Sequence, residues 1–173
     1  MNAPIFVDTN VLVYAHQPNE ALKRSVAIQW VKRLWQEQLG RLSMQVLNEY
    51  YVTVTRKIRP ARATADAWDE VRELLSWNPQ PTDLELLQRA REVEQRYQLS
   101  WWDSLIVGAA QLQNCVLLLT EDLQHRAVYG GVTVQNPFLA AVSDTTAEYA
   151  VTRTSTGGHP RRGRPRRNKA ERG

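Results

Sequence analysis

Val116-Leu117-Leu118-Leu119-Thr120-Glu121-Asp122 decides how the rest of the chain is read. Five uncharged residues, β-branched at both ends, are followed at once by two acids. A continuous apolar run of this length predicts a strand covered on both faces, as in a parallel sheet. The acids then fall just past the strand's carboxyl end, the edge where open α/β sheets build their sites. Cys115, immediately before the run, is the only cysteine. No intrachain disulfide can form, no cysteine cluster can hold zinc, and the thiol reads as a small core residue.

Upstream lies Ser100-Trp101-Trp102-Asp103-Ser104-Leu105-Ile106-Val107-Gly108-Ala109-Ala110. Leu105, Ile106, Ala109 and Leu112 recur at helical spacing, and Trp101, Trp102 and Val107 fill the other faces, which predicts a helix buried nearly all round. Asp103 is its only charge. Ser100 with Asp103 is a capping-box pattern, in which the acid satisfies a free backbone N–H. An acid carried deeper into such surroundings would need hydrogen bonds or a cation. Thr82-Asp83-Leu84-Glu85 is a second capping box, opening a helix through about Tyr97. Downstream, Gly130-Gly131 turns into a last short strand, Val132-Thr133-Val134.

The amino-terminal half repeats the arrangement. Ile5-Phe6-Val7 is a short β-type run that ends at Asp8, which either caps the next helix or joins a site at the sheet edge. From Glu20 to Leu39, Leu22, Val26, Trp30 and Leu34 recur every four residues and predict an amphipathic helix, closed by Gly40. Arg41 to Met44 is a candidate second strand. Between Gln45 and Arg56, strand propensity at Tyr50 to Thr55 competes with a helical stripe of Leu47, Tyr50, Val54 and Ile58. Helix is the expectation, and it places Glu49 near the edge that holds Asp8. Arg56, Lys57, Arg59 and Arg62 surround Pro60 in a loop suited to a phosphate backbone. Ala63 to Trp77 reads as a helix with Ala67, Val71, Leu74 and Leu75 inward, and Asp66, Asp69, Glu70 and Glu73 as solubilising surface charge.

Strands alternating with helices predict a three-layer α/β/α domain with a central parallel sheet over residues 1–142. Residues 143–173 lose the apolar periodicity and are expected to form a disordered Arg-rich tail. The formal net charge of +4 conceals an asymmetry. Residues 151–173 carry eight Lys or Arg against Glu171, a net of +7, which leaves −3 for the rest. No apolar run approaches the ~20 residues needed to cross a bilayer. The opening residues lack the pattern of a signal peptide, so a cytoplasmic protein is expected.

Asp8, Glu49, Asp103 and Asp122 all fall at element ends that an α/β sheet can bring to one edge. Four converging carboxylates would repel one another at neutral pH, and a hard cation would relieve that. Mg²⁺ suits an all-oxygen set, whereas His16, His125 and His159 lack zinc-ligand spacing. Phe6-Val7-Asp8-Thr9-Asn10-Val11-Leu12, Asn48-Glu49, Trp102-Asp103-Ser104-Leu105-Ile106 and Leu119-Thr120-Glu121-Asp122-Leu123 resemble, in order, the four acidic motifs of PIN-domain ribonucleases. With the closing Val134-Gln135-Asn136-Pro137-Phe138, the chain is most similar to the small prokaryotic VapC-type toxins. The resemblance implies a PIN fold, Mg²⁺- or Mn²⁺-dependent endoribonuclease activity, a cognate antitoxin and a homodimer. By position it makes Asp8 and Asp103 the main metal ligands and lets Glu49 and Asp122 complete the catalytic acids. Asn10, Ser104 and Thr120 would orient ligands or water from behind.

Two other classes compete. A haloacid-dehalogenase type of phosphatase also places an aspartate after its first strand, but it needs another two residues on, where this chain has Asn10. A nucleic-acid-binding module without chemistry would use the basic tail for affinity and the acids as helix caps.

Overall fold

The computed structural model describes residues 3–139. The expected tail, and the domain boundary at 142, lie outside the described residues.

The apolar run at its centre forms strand β3, Leu117–Leu119, flanked by the other strands. β1 (Ile5–Val7) and β5 (Val132–Gln135) lie on either side of it, both parallel to it, with Val7 opposite Leu119 and Leu119 opposite Gln135. Outside β1 runs β2 (Gly40–Arg41), also parallel. At the other edge β4 (Val128–Tyr129) pairs antiparallel with β5 through a turn in which Gly130 and Gly131 both take positive φ. The four strands β2-β1-β3-β5 are parallel, as expected, and β4 adds one antiparallel strand at the edge, because the two-residue Gly-Gly connection with positive φ makes a hairpin.

Six helices flank this sheet among the described residues: α1 (Thr9–Tyr14), α2 (Ala21–Glu37), α3 (Met44–Val52), α4 (Thr64–Leu74), α5 (Leu84–Tyr97) and α6 (Trp101–Leu112). The ambiguous segment after Gln45 is helical, as its stripe predicted: Val46, Leu47, Tyr50 and Val54 are buried. Its last turn widens into a π-turn over Thr53–Lys57. Phe6, Val7, Leu118 and Leu119 are fully covered, which is what a central strand buried on both faces requires.

Several local expectations move. The helix from Ala21 ends with Gln38 in the left-handed conformation, and Gly40 instead opens β2. Gly40 is needed for space, since a Cβ there would meet the Trp77 indole at 2.5 Å. Leu22 is exposed, and Ala27 and Leu34 carry the buried side of α2. Asp83, one residue later than the capping box implied, caps α5 by accepting from the Leu86 N–H. Leu75 faces solvent, and so does Trp102, at 65% exposure, so α6 is not buried all round. No helix among the described residues is long and apolar enough to cross a membrane.

Candidate active site

Asp8 is fixed to the sheet edge from both sides of its backbone. Its N–H donates to the Leu119 carbonyl at 3.0 Å, extending the β1–β3 ladder by one bond, and its carboxylate caps α1 by accepting from the Thr9 N–H at 2.7 Å. The other carboxylate oxygen accepts from the Thr120 hydroxyl at 2.7 Å. Thr120 stands at the end of β3, and its Oγ accepts from the Asp122 N–H at 3.1 Å, so the acid pair after β3 is tied to the acid after β1.

Asn10, on the first turn of α1, lies among these groups. Its Nδ2 is within 2.9 Å of Asp122 Oδ2, 3.1 Å of Thr120 Oγ1 and 3.3 Å of Asp8 Oδ2. An amide has only two N–H bonds to share among three acceptors. Glu49 enters from α3, because Ser43 caps that helix at the end of β2 and so starts it at the same edge. Its carboxylate accepts from Thr9 Oγ1 at 3.0 Å and from Gln45 Nε2 at 2.9 Å.

Asp8 is only 8% exposed. Burial pushes its carboxyl from 3.8 up to about 6; the Thr120 and Thr9 hydrogen bonds pull it down, and the charges of Asp122 and Glu49 push it further up. Of the four acids expected at this edge, two distant in sequence, Asp122 and Glu49, thus act electrostatically on a third, Asp8.

The fourth acid is placed differently. α6 connects through a short turn to β3 and packs on β3 and β5, so its amino terminus returns toward the edge where those strands end. Asp103 sits on that first turn, partly exposed. Its N–H donates to Ser100 Oγ at 3.1 Å, and the Ser100 hydroxyl donates to Asp103 Oδ2 at 2.6 Å. The capping box is therefore real, and among the described residues no hydrogen bond joins Asp103 to the Asp8 network. Nor does any group of three His, Cys, Asp or Glu side chains among them stand ready to enclose a metal ion. The buried side-chain atoms without a hydrogen-bond partner among the described residues include Asn10 Oδ1 and the fully buried Ser104 Oγ.

Of the four cations singled out in sequence, Arg56, Lys57 and Arg59 are exposed. Arg62 is turned inward: its guanidinium pairs with Glu70 at 2.5 Å and lies 2.9 Å from His16 Nδ1. Glu70, expected as surface charge, also accepts from the Tyr50 hydroxyl, and burial drives that phenol upward and the His16 imidazole downward in pKa.

Two parts of the site escaped the sequence. Thr9, which links the α1 cap to Glu49, lies inside the first acidic motif with no role assigned to it there. Glu121 is held by Lys23 Nζ at 2.6 Å and by the Tyr14 hydroxyl at 2.5 Å, and Lys23 lies 4.3 Å from the Tyr14 ring centroid. Burial opposes the Lys23 charge, but its bonds to Glu121 and Tyr14 outweigh that and raise its pKa. Nothing in the spacing of residues 14, 23 and 121 announces the contact.

No protein of curated function matches the chain. Among solved structures, VapC20 of Mycobacterium tuberculosis, described as a sarcin–ricin-loop-cleaving toxin, superposes with a TM-score of 0.55. It shares 21% identity and the match covers 75% of this chain and 98% of that one, a likeness of fold. The family model of the PIN domain matches residues 5–131, a span that contains all four acids and every strand but the last. The chain belongs to the PIN domain family.

Proposed function

We propose that the protein is an endoribonuclease that hydrolyses RNA phosphodiester bonds with Mg²⁺ or Mn²⁺ at the acidic edge. The observation that carries this is the buried Asp8, whose carboxyl is raised to about 6 by burial and by the charges of Asp122 and Glu49. Ionised at neutral pH, such a group is a buried carboxylate crowded by like charge, a cost to stability that the surrounding side chains do not offset with a cation and that a bound metal ion would relieve.

A hard divalent ion fits the donors present. All are oxygens, the carboxylates crowd one another, and Asn10 Oδ1 is a buried acceptor with no donor. Asp8 and Asp103 would hold the ion, with Glu49 and Asp122 completing the acidic rim. Such an ion, when bound, polarises a scissile phosphate and lowers the pKa of bound water. The chain's own residues do the positioning. Thr120 holds Asp8 Oδ2, Asn10 sets the Asp122 carboxylate, and Thr9 aims Glu49, so each acid is oriented by a neighbouring donor. No side chain is needed as a covalent nucleophile.

In the same reading the protein is the cytoplasmic toxin of a toxin–antitoxin pair, a homodimer restrained by a cognate antitoxin. The structural neighbour's described activity supports RNA as the substrate. Exposed Met44, Val52, Trp68 and Leu75 on and beside α3 and α4 supply apolar surface suited to protein partners. Exposed Arg56, Lys57 and Arg59 are available to a phosphate backbone.

The test is incubation of the purified chain with total RNA, with Mg²⁺, with chelator, and beside the Asp8→Asn variant. Cleavage that needs the ion and disappears in the variant is expected. Breakdown that survives both changes overturns the proposal.

A further inference from the structure

The structure assigns Lys23 and Tyr14 a positioning role at the acidic edge: through Glu121 they fix the bend that carries Asp122. Both ends of the loop after β3 are held by β5, the Thr120 N–H donating to the Gln135 carbonyl at 3.1 Å and the Arg126 N–H to the Val134 carbonyl at 2.9 Å. Between them, Glu121 to Leu123 form a bend outside any helix or strand, and Asp122 is exposed. Packing therefore does not set the Asp122 side chain. Its N–H donates to Thr120 Oγ and its Oδ2 accepts from Asn10, two bonds to groups that also hold Asp8. Glu121 supplies the anchor on the neighbouring residue. Its Oε1 accepts from the Tyr14 hydroxyl at 2.5 Å and its Oε2 from Lys23 Nζ at 2.6 Å, while Lys23 also donates to the Tyr14 oxygen at 2.9 Å. With both carboxylate oxygens taken, the group cannot swing or turn without breaking a charge-assisted bond. The clamp is itself braced. The Tyr14 ring meets the buried Phe138 edge-on with centroids 5.0 Å apart, and the Lys23 ammonium lies 4.3 Å from the Tyr14 ring centroid.

Stability alone does not account for the pair. The Lys23 and Glu121 side chains are each only 21% exposed, and a pair taken that far out of water contributes little beyond apolar residues of the same volume once desolvation is counted. Lys23 also lies in the first turn of α2, where the helix dipole disfavours a cation. What the arrangement secures is a location. Unpaired, Glu121 would be a further carboxylate free to move beside an edge already crowded with like charge, and Asp122 would move with it. Held between Lys23 and Tyr14, it is turned away from that edge and pins the backbone one residue before Asp122.

The kinetic consequence rests on the nuclease reading; the positioning itself does not. Backbone amide order parameters are measured by NMR on the ¹⁵N-labelled full chain in chelator. Lys23→Met and Glu121→Ala should each lower those of Asp122 and Leu123 from the roughly 0.85 of rigid backbone to below about 0.6, with β3 unmoved. Tyr14→Phe, which keeps the ring on Phe138, should move them in the same direction. With Mg²⁺ and a labelled single-stranded oligoribonucleotide, Lys23→Met should lower kcat by about tenfold or more at unchanged KM. The double variant, Lys23→Met with Glu121→Ala, should be no slower than the slower single variant, because Lys23 acts through Glu121. Lys23→Arg, which restores a cation, should recover most of the loss. Unchanged order parameters in Lys23→Met and Tyr14→Phe overturn the assignment, and so does an unchanged kcat. A drop that spreads through β3 overturns it as well, being loss of the fold and not of position. A raised KM with kcat kept, or losses that multiply in the double variant, also overturn it, since Lys23 would then touch RNA itself. If the parent cleaves no RNA, the nuclease reading fails while the order parameters still decide the positioning.

Discussion

Replacing Asp8 with Asn should stabilise the metal-free protein at neutral pH and destabilise it in acid. The folded chain binds a proton at Asp8 more tightly than the unfolded chain does, with the carboxyl raised from 3.8 to about 6. Below the unfolded value both states are protonated. Between the two values only the folded state holds the proton, so stability falls by about 1.4 kcal/mol per pH unit, and above about 6 it levels off. The total is about 3 kcal/mol at most. The substituted amide would not titrate. It would keep an oxygen for the Thr9 N–H, but its NH₂ would face two groups that now donate to Asp8 Oδ2, Thr120 Oγ and Asn10 Nδ2. Two mismatched hydrogen bonds cost about 1–2 kcal/mol together. The variant should thus be the weaker protein near pH 4.5 and the stronger near pH 8, the gap moving in its favour by about 2 kcal/mol. Urea unfolding of both proteins in chelator at the two pH values measures it, and the difference cancels His16 and the other titrating groups that do not interact with Asp8. A gap that does not move, or moves the other way, refutes the burial argument. Saturating Mg²⁺ should restore the parent by about 3 kcal/mol at a hundredfold excess over Kd and leave the variant unmoved.

Asp103→Asn should lower Mg²⁺-dependent RNA cleavage by orders of magnitude while shifting urea unfolding little, because Asp103 is partly exposed and its cap partner Ser100 remains. Gly40→Ala should destabilise by about 1–3 kcal/mol in thermal unfolding, since the added Cβ would lie 2.5 Å from the buried Trp77 indole. Trp77→Ala should cost about 3–5 kcal/mol and Trp102→Ala less than about 0.5, one ring being 4% exposed and the other 65%. Cys115, whose thiol burial pushes up to about 12, should react with a thiol reagent far more slowly in native protein than in urea.

The order of the fold could be read from sequence because its strands announce themselves. Leu117–Leu119 and Ile5–Val7 are apolar on both faces, and acids follow each without an intervening turn. The helix at Met44–Val52 was also legible, since the stripe of Leu47, Tyr50 and Val54 outweighed the β-propensity of Tyr50 to Thr55 once those side chains had the neighbouring helices α1 and α4 to pack on. What periodicity could not show was which apolar residues are left uncovered. Leu22, Leu75 and Trp102 fit their stripes as well as Leu34, Leu74 and Leu105 do, and exposure depends on where neighbouring elements stop. Glu70 was misread for the same reason: on α4 alone it belongs to the polar face, and only the returning Arg62 and Tyr50 enclose it.

The four acids show why a structural and a functional reading of one residue need not exclude each other. Asp8 and Asp103 both serve helix starts, Asp8 by accepting from the Thr9 N–H and Asp103 through Ser100. Capping alone is satisfied by any exposed Asp, Ser or Asn and contributes about 1 kcal/mol. It does not require the cap to be buried beside two other carboxylates, an arrangement that works against stability when no cation is bound. Asp103 meets no such penalty in this structure, being partly exposed and bonded to Ser100, so capping accounts for it completely. Asp8 is the residue whose placement capping leaves unexplained. Chemistry at this edge is therefore inferred from the crowding around Asp8, and Asp103 joins it through the family motif and through the return of α6 to the same edge.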